Sequence, residues 1–210
     1  MNDKDIILGP GRDVKLGPID ESLFNGKLFE LPVLHLMVNN ICNNNCPLCC
    51  NKQYDVDKIQ VVTVEELKQT ETICITGGEP FLSPNLTNFI FNLIIQYTNI
   101  KNLYIYTSGE CIQRPDLATL VLWQTNYDIN IGVSIGPKSD RDRRNLQSYL
   151  IYEKVLELKC NRFYCFTKED RELANTYYGN HNNMEIIDRK WQRTFEPAQN
   201  TIFRRLPIWI

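Results

Sequence analysis

Short apolar runs alternate along this chain with stretches in which apolar residues recur every three or four positions. Pro32 to Val38 (PVLHLMV) is a continuous apolar run of strand length. Thr72 to Thr76 (TICIT), Asn102 to Thr107 (NLYIYT), Ile129 to Ile135 and Cys160 to Phe166 (CNRFYCF) have the same β-rich character. Helical signals fall between them. Thr63-Val64-Glu65-Glu66 is a capping box that opens a short helix through about Gln69. Ser83-Pro84-Asn85 starts a second helix through about Tyr97, with Leu86, Ile90, Leu93 and Ile94 at helical spacing. Pro115 to Trp123 reads as a third. Asp140 to Leu158 reads as one long helix with Leu146, Leu150, Val155 and Leu158 inward.

Strand, loop and helix repeated in this way predict parallel βα units, because a parallel partner needs a crossover and the crossover is usually a helix. A full eight-unit barrel takes about 250 residues, and this chain has 210. The expected fold is therefore α/β, a partial TIM barrel of about five or six βα units with a parallel sheet; an open doubly wound sheet is the alternative. One domain is expected over residues 1–210. Residues 1–30 form an N-terminal extension broken at Gly9-Pro10 and Gly17-Pro18, 31–168 the βα core, and 169–210 a closing segment whose pattern assigns no element. In both architectures ligands sit at the C-terminal ends of the strands.

Composition changes little in this picture. At 43% hydrophobic and 23% charged residues the chain is an ordinary globular one. A net charge of −2 offers no general attraction to nucleic acid or to an anionic membrane. The start, MNDKDIILGPGRD, lacks the basic and apolar parts of a secretion signal, and the most apolar segment, Phe89 to Ile95, is far short of a bilayer span. A cytoplasmic protein is expected.

The eight cysteines change more. Cys42, Cys46, Cys49 and Cys50 crowd together, followed by Cys74, Cys111, Cys160 and Cys165. In a reducing compartment such crowding points to metal rather than disulfides. Cys42-Asn43-Asn44-Asn45-Cys46-Pro47-Leu48-Cys49 follows the first strand as C-x3-C-x2-C. Structural zinc wants four protein ligands, whereas three leave a position open for an exogenous one. A zinc-stabilised binding module, completed by Cys50 or by Cys160 and Cys165, remains an alternative, as does a thiol redox site at Cys46-Pro47-Leu48-Cys49. After the second strand, Gly77-Gly78-Glu79-Pro80 permits close approach of backbone to a ligand and supplies an acidic acceptor.

Together the cysteine loop and the glycine turn resemble the radical S-adenosylmethionine (radical SAM) superfamily, over Pro32 to about Ile135. The resemblance implies that Cys42, Cys46 and Cys49 are the metal ligands of a [4Fe-4S] cluster whose fourth iron takes SAM. It implies that Gly77, Gly78, Glu79 and Pro80, the family's GGE motif, meet the SAM amino group, and that Leu48 stands where an adenine-contacting aromatic is frequent. Ser108 and Ser134, at the ends of the third and fourth strands, are candidates for hydrogen bonds to SAM. The implied enzyme, an oxidoreductase or lyase, takes an electron from a donor such as flavodoxin or ferredoxin. It cleaves SAM to a 5′-deoxyadenosyl radical and abstracts hydrogen from an organic substrate, either nucleotide- or deazapurine-like or a peptide. A glycyl-radical enzyme activase acting on a protein partner is the alternative within the family.

The region after Glu169 lacks the many cysteines of an auxiliary-cluster extension. Cys160 and Cys165, if on a strand, point to opposite faces. Cys74 reads as ordinary packing, Cys111 has no assigned role, and His35 on the first strand is read as a satisfied core histidine or as one facing the barrel interior. His181, Trp191, Arg204, Arg205 and Trp209 are assigned no function.

Overall fold

A computed structural model describes residues 33–46, 49–52, 55–190 and 200–210. The N-terminal extension, Leu48 and Trp191 lie outside the described residues. Among the described residues seven strands form one parallel sheet: β1 (Val33–Met37), β2 (Thr72–Thr76), β3 (Asn102–Thr107), β4 (Asn130–Ile135), β5 (Asn161–Cys165), β6 (Met184–Asp188) and β7 (Thr201–Arg205). The order is β6-β5-β4-β3-β2-β1-β7. From β1 to β6 each strand lies beside its predecessor, so the chain winds in one direction, as in a barrel wall. A doubly wound sheet would reverse at a switch point. β7 returns to the other flank of β1, and β1 to β5 are each followed by a helix, which matches the expected five or six βα units.

Helices α1 (Val64–Gln69), α2 (Leu86–Gln96), α3 (Arg114–Asn126), α4 (Asp140–Leu146), α5 (Tyr149–Glu157) and α6 (Lys168–Tyr177) fill the crossovers. Thr63 caps α1 with the expected reciprocal bonds to Glu66. The long helix expected over Asp140 to Leu158 is two helices instead. Ser148 is extended (φ −63°, ψ 127°), which breaks the hydrogen-bond ladder and resets the helical phase. Ile151 therefore turns inward beside Val155 and Leu146, while Leu150 is 51% exposed. The polar α6 buries only Leu173, Ala174 and the Asp170 cap, which is why apolar periodicity does not announce it.

The two faces of the sheet differ. Leu36, Ile75, Ile105, Val133 and Phe163 are wholly buried and join Leu67, Leu93, Leu120 and Val155 of the helices in one apolar cluster. The alternate positions form a polar face that carries His35, Tyr104, Tyr106, Arg162 and Tyr164, all half-buried.

The C-terminal arginines are structural ties. Arg204 on β7 pairs with Glu66 of α1 at 2.7 Å, both side chains 21% exposed. The other Glu66 oxygen accepts from the Thr63 amide. Arg205 donates to the carbonyl of Ile59, and its backbone bridges to Val61, so β7 anchors the segment downstream of the cysteine loop. Arg204→Ala is expected to cost about 1–2 kcal/mol, read as a lower urea midpoint with an unchanged m-value. An unchanged midpoint would show the tie to be dispensable.

Candidate functional site

Two segments at the C-terminal end of the sheet are bound to each other through their backbones. The Gly78 amide donates to the Asn39 carbonyl (3.0 Å), and the Glu79 amide donates to that of Ile41 (2.7 Å). Asn39, 1% exposed, closes the pairing: its amide group donates to the Glu79 carbonyl, and its Oδ1 accepts from Gly78. Asn51, beyond the cysteines, donates to the Gly77 carbonyl. The contact needs glycine, since a Cβ on Gly78 would lie 1.9 Å from the Ile41 carbonyl oxygen. The glycine turn and the cysteine loop are thus one structural unit.

Glu79 is 2% exposed. Its Oε1 accepts from Thr107 Oγ1 (2.8 Å), and its Oε2 accepts from the Ser108 amide (2.8 Å) and Ser108 Oγ (3.0 Å). A longer bond from the Phe81 amide caps the 3-10 turn of Pro80–Leu82, with Pro80 buried at its start. Burial pushes the Glu79 carboxyl above its ordinary value, and the hydrogen bonds from Ser108, Thr107 and Phe81 oppose this. In this arrangement the acceptor expected for a ligand cation is occupied by donors of the chain, and Glu79 fastens the β2 end to the β3 end. Ser108 belongs to the same lock and also accepts from Asn44.

The asparagines between Cys42 and Cys46 hold their loop down. Asn43 donates to Glu110, which pairs with Arg141. Asn44 donates to Ser108, and Asn45 accepts from Lys52, whose ammonium also reaches the Cys46 carbonyl. Cys42 is exposed, and Cys46 and Cys49 are half-buried; the Cys49 amide donates to the Cys46 carbonyl. Desolvation pushes the Cys42 and Cys46 thiols above their ordinary value, with repulsion from the neighbouring thiols adding to it. The Lys138 ammonium, lowered by its own burial to about 8, pulls Cys46 the other way. Lys138 lies 3.5 Å over the Phe166 ring. Among the described residues no three His, Cys, Asp or Glu side chains converge as ligands of a single ion.

Three buried polar atoms face this region without a partner among the described residues: Ser134 Oγ, Thr76 Oγ1 and Asn43 Oδ1. Such atoms are costly unless something satisfies them. By register Thr76 and Ser134 share the row that contains Tyr106 and Arg162. In residue type the set suits the group that the cysteine motif implies, with three thiols on one loop and unsatisfied hydroxyls alongside, while the thiols as placed do not converge on one point.

The structure therefore brings Cys42, Cys46, Cys49, Gly77, Gly78, Glu79, Pro80 and Ser108 to one mouth, with Ser134 one row in. Sequence reasoning gave no role to the anchoring asparagines, to the Thr76 hydroxyl or to Lys138. For Thr76 the available signal was its parity with Cys74 on β2. Cys74 is buried on the polar face rather than in the apolar core, and Cys160 and Cys165 do flank β5 on opposite sides.

No family model matches this sequence, and no curated protein does. Among solved structures, BtrN in complex with AdoMet and 2-DOIA is similar at 18% identity, over 77% of this chain and 57% of that one, with a TM-score of 0.42. The chain thus spans less than two thirds of that protein's length. Among the described residues no helix is long and apolar enough to cross a membrane.

Proposed function

We propose that the protein is a radical SAM enzyme, with Cys42, Cys46 and Cys49 holding a [4Fe-4S] cluster and the adjoining mouth binding S-adenosylmethionine. The observation that carries this reading is the direct backbone pairing of the cysteine loop with the Gly77-Gly78-Glu79 turn. It joins the cysteine loop and the glycine turn in one structural unit at the C-terminal end of the sheet. When bound, the cluster would supply the electron for reductive cleavage of S-adenosylmethionine, with hydrogen abstraction from the substrate as the outcome.

The chain's own residues divide the remaining work. Gly77 and Gly78 admit the Asn39 and Ile41 backbone at close range and so hold the cysteine loop against the strand ends. Glu79, Thr107 and Ser108 keep the β2 and β3 ends in register with it, and the Ser134 and Thr76 hydroxyls stand ready for cofactor polar atoms. Lys138 favours the thiolate of Cys46, the form that ligates iron. The electron would come from a flavodoxin- or ferredoxin-like donor. The substrate class within this reading is a small nucleotide- or deazapurine-like molecule or a peptide; action on a protein partner, as an activase, is the other reading.

The test is anaerobic reconstitution followed by assay of iron, sulfide and 5′-deoxyadenosine after adding S-adenosylmethionine and a strong reductant. About four irons per chain are expected, with 5′-deoxyadenosine formed by the parent and reduced to background in Cys46→Ala. One tightly held zinc without sulfide would replace this reading with the binding module. Full iron in each of Cys42→Ala, Cys46→Ala and Cys49→Ala would also overturn it.

A further inference from the structure

Adjoining the mouth, the polar face of the sheet is built from aromatic rings and guanidinium groups. Arg162 on β5 lies with its Cζ 4.0 Å from the Tyr104 ring centre. Arg189, just past β6, stands 5.1 Å from the Tyr164 ring. Tyr106 and Tyr164 project from strands on either side of β4, with ring centres 6.2 Å apart and planes inclined by 15°. His35 completes the surface, 5.7 Å from Tyr106 and 6.4 Å from Phe203. Its imidazole is held below its ordinary value by burial first and then by both Arg162 and Arg189, so the two guanidiniums bear on the same place.

Counter-charge here is thin. Arg162 meets Glu185 at 3.5 Å, with that carboxylate 65% exposed and hence screened by water. Arg189 has no ion pair among the described residues. The nearby acids are spent elsewhere. Asp142 accepts from the backbone of Lys138, Ser139 and Glu110, while Asp170 caps α6 and pairs with Arg143. A cationic surface tiled with flat rings favours a ligand that is itself flat and negatively charged, through stacking and charge-assisted hydrogen bonds. Ser134, 1% exposed with its hydroxyl unpaired, occupies the same row as Tyr106 and Arg162, which places this surface against the cofactor side of the mouth.

We propose that this face binds the substrate, and that the substrate is a planar organic anion whose carboxylate or equivalent group is taken by Arg162 and Arg189 while its ring lies on Tyr106 and Tyr164. The inference rests on the radical SAM reading and narrows its substrate from peptide toward a flat heterocyclic acid.

Nicotinate and nicotinamide share a ring and differ in charge, which makes them suitable probes by calorimetry on the reconstituted protein. Nicotinate is expected to bind on the order of tenfold tighter than nicotinamide. Arg189→Gln, at an exposed position, and Arg162→Gln should each erase most of that preference without altering nicotinamide binding, and Arg162→Lys should restore part of it. Equal binding of the two probes, binding of neither, or a preference that survives both glutamine variants would overturn the inference. Iron content and 5′-deoxyadenosine are measured in the same samples. A protein that passes those assays but shows no charge preference overturns the substrate inference alone. One that prefers nicotinate yet holds no iron overturns the substrate role along with the radical SAM reading.

Discussion

Gly78→Ala is expected to detach the cysteine loop from the sheet and to lower stability by about 3 kcal/mol. The reason is steric and local. The added Cβ would fall 1.9 Å from the Ile41 carbonyl oxygen and 2.4 Å from its carbon, both backbone atoms that no side-chain rotation can move aside. The backbone must separate, and with it go the Gly78 to Asn39 and Glu79 to Ile41 hydrogen bonds. Urea unfolding measures the loss. Titration of the apoprotein with a thiol reagent measures where it falls, because Cys46 and Cys49 should react faster once the loop lifts. A midpoint within 0.5 kcal/mol of the parent would show that the loop is not held by this contact.

Glu79→Ala is expected to cost a similar amount, about 3 kcal/mol, by leaving the Ser108 amide and the Thr107 hydroxyl without their acceptor in a buried place. Glu79→Gln keeps the volume and one acceptor and should cost about half as much. The pair also carries a pH signature. Burial outweighs the hydrogen bonds and raises the folded carboxyl above its ordinary 4.5, so the folded chain binds this proton more tightly than the unfolded chain does. The stabilisation linked to that proton is complete below pH 4.5 and is lost as pH rises through the folded value. Glu79→Gln should remove this slope. Denaturation of parent and variant at several pH values in that window decides the matter, and parallel curves would show that Glu79 keeps an ordinary carboxyl.

Both variants act on the same joint, and their effects are not expected to add. Once Gly78→Ala has parted the loop from the turn, Glu79 no longer has a rigid partner to lock. A double variant only slightly less stable than either single one is the expected result.

What was legible in the sequence is what depends on near neighbours. The strands at Thr72–Thr76 and Asn102–Thr107 and the cap at Thr63 follow from alternation and from a side chain three residues away. The cysteine spacing and the glycine turn are likewise local patterns, and each gives the chemistry available at its own position. The break at Ser148 was not legible, since the apolar spacing on either side is compatible with one helix or two. Nor was β7, whose two arginines look like a solvated end until Glu66, far back in the chain, supplies a partner.

The same division holds at the site. The residue types by themselves determined which groups are present: three thiols, a close-approach glycine pair, an acid, and hydroxyls at strand ends. Only the tertiary structure decided what those groups are free to do. Glu79 and Ser108 are engaged with each other because the β2 and β3 ends lie side by side, whereas Ser134 and Thr76 keep unpaired hydroxyls on the polar face. Arg162 on β5 and Arg189 just past the end of β6, at sites with no motif around them, converge only through the parallel register of β5 and β6. Hydrogen-bond satisfaction and summed charge depend on through-space neighbours, and a linear pattern records neighbours only along the chain.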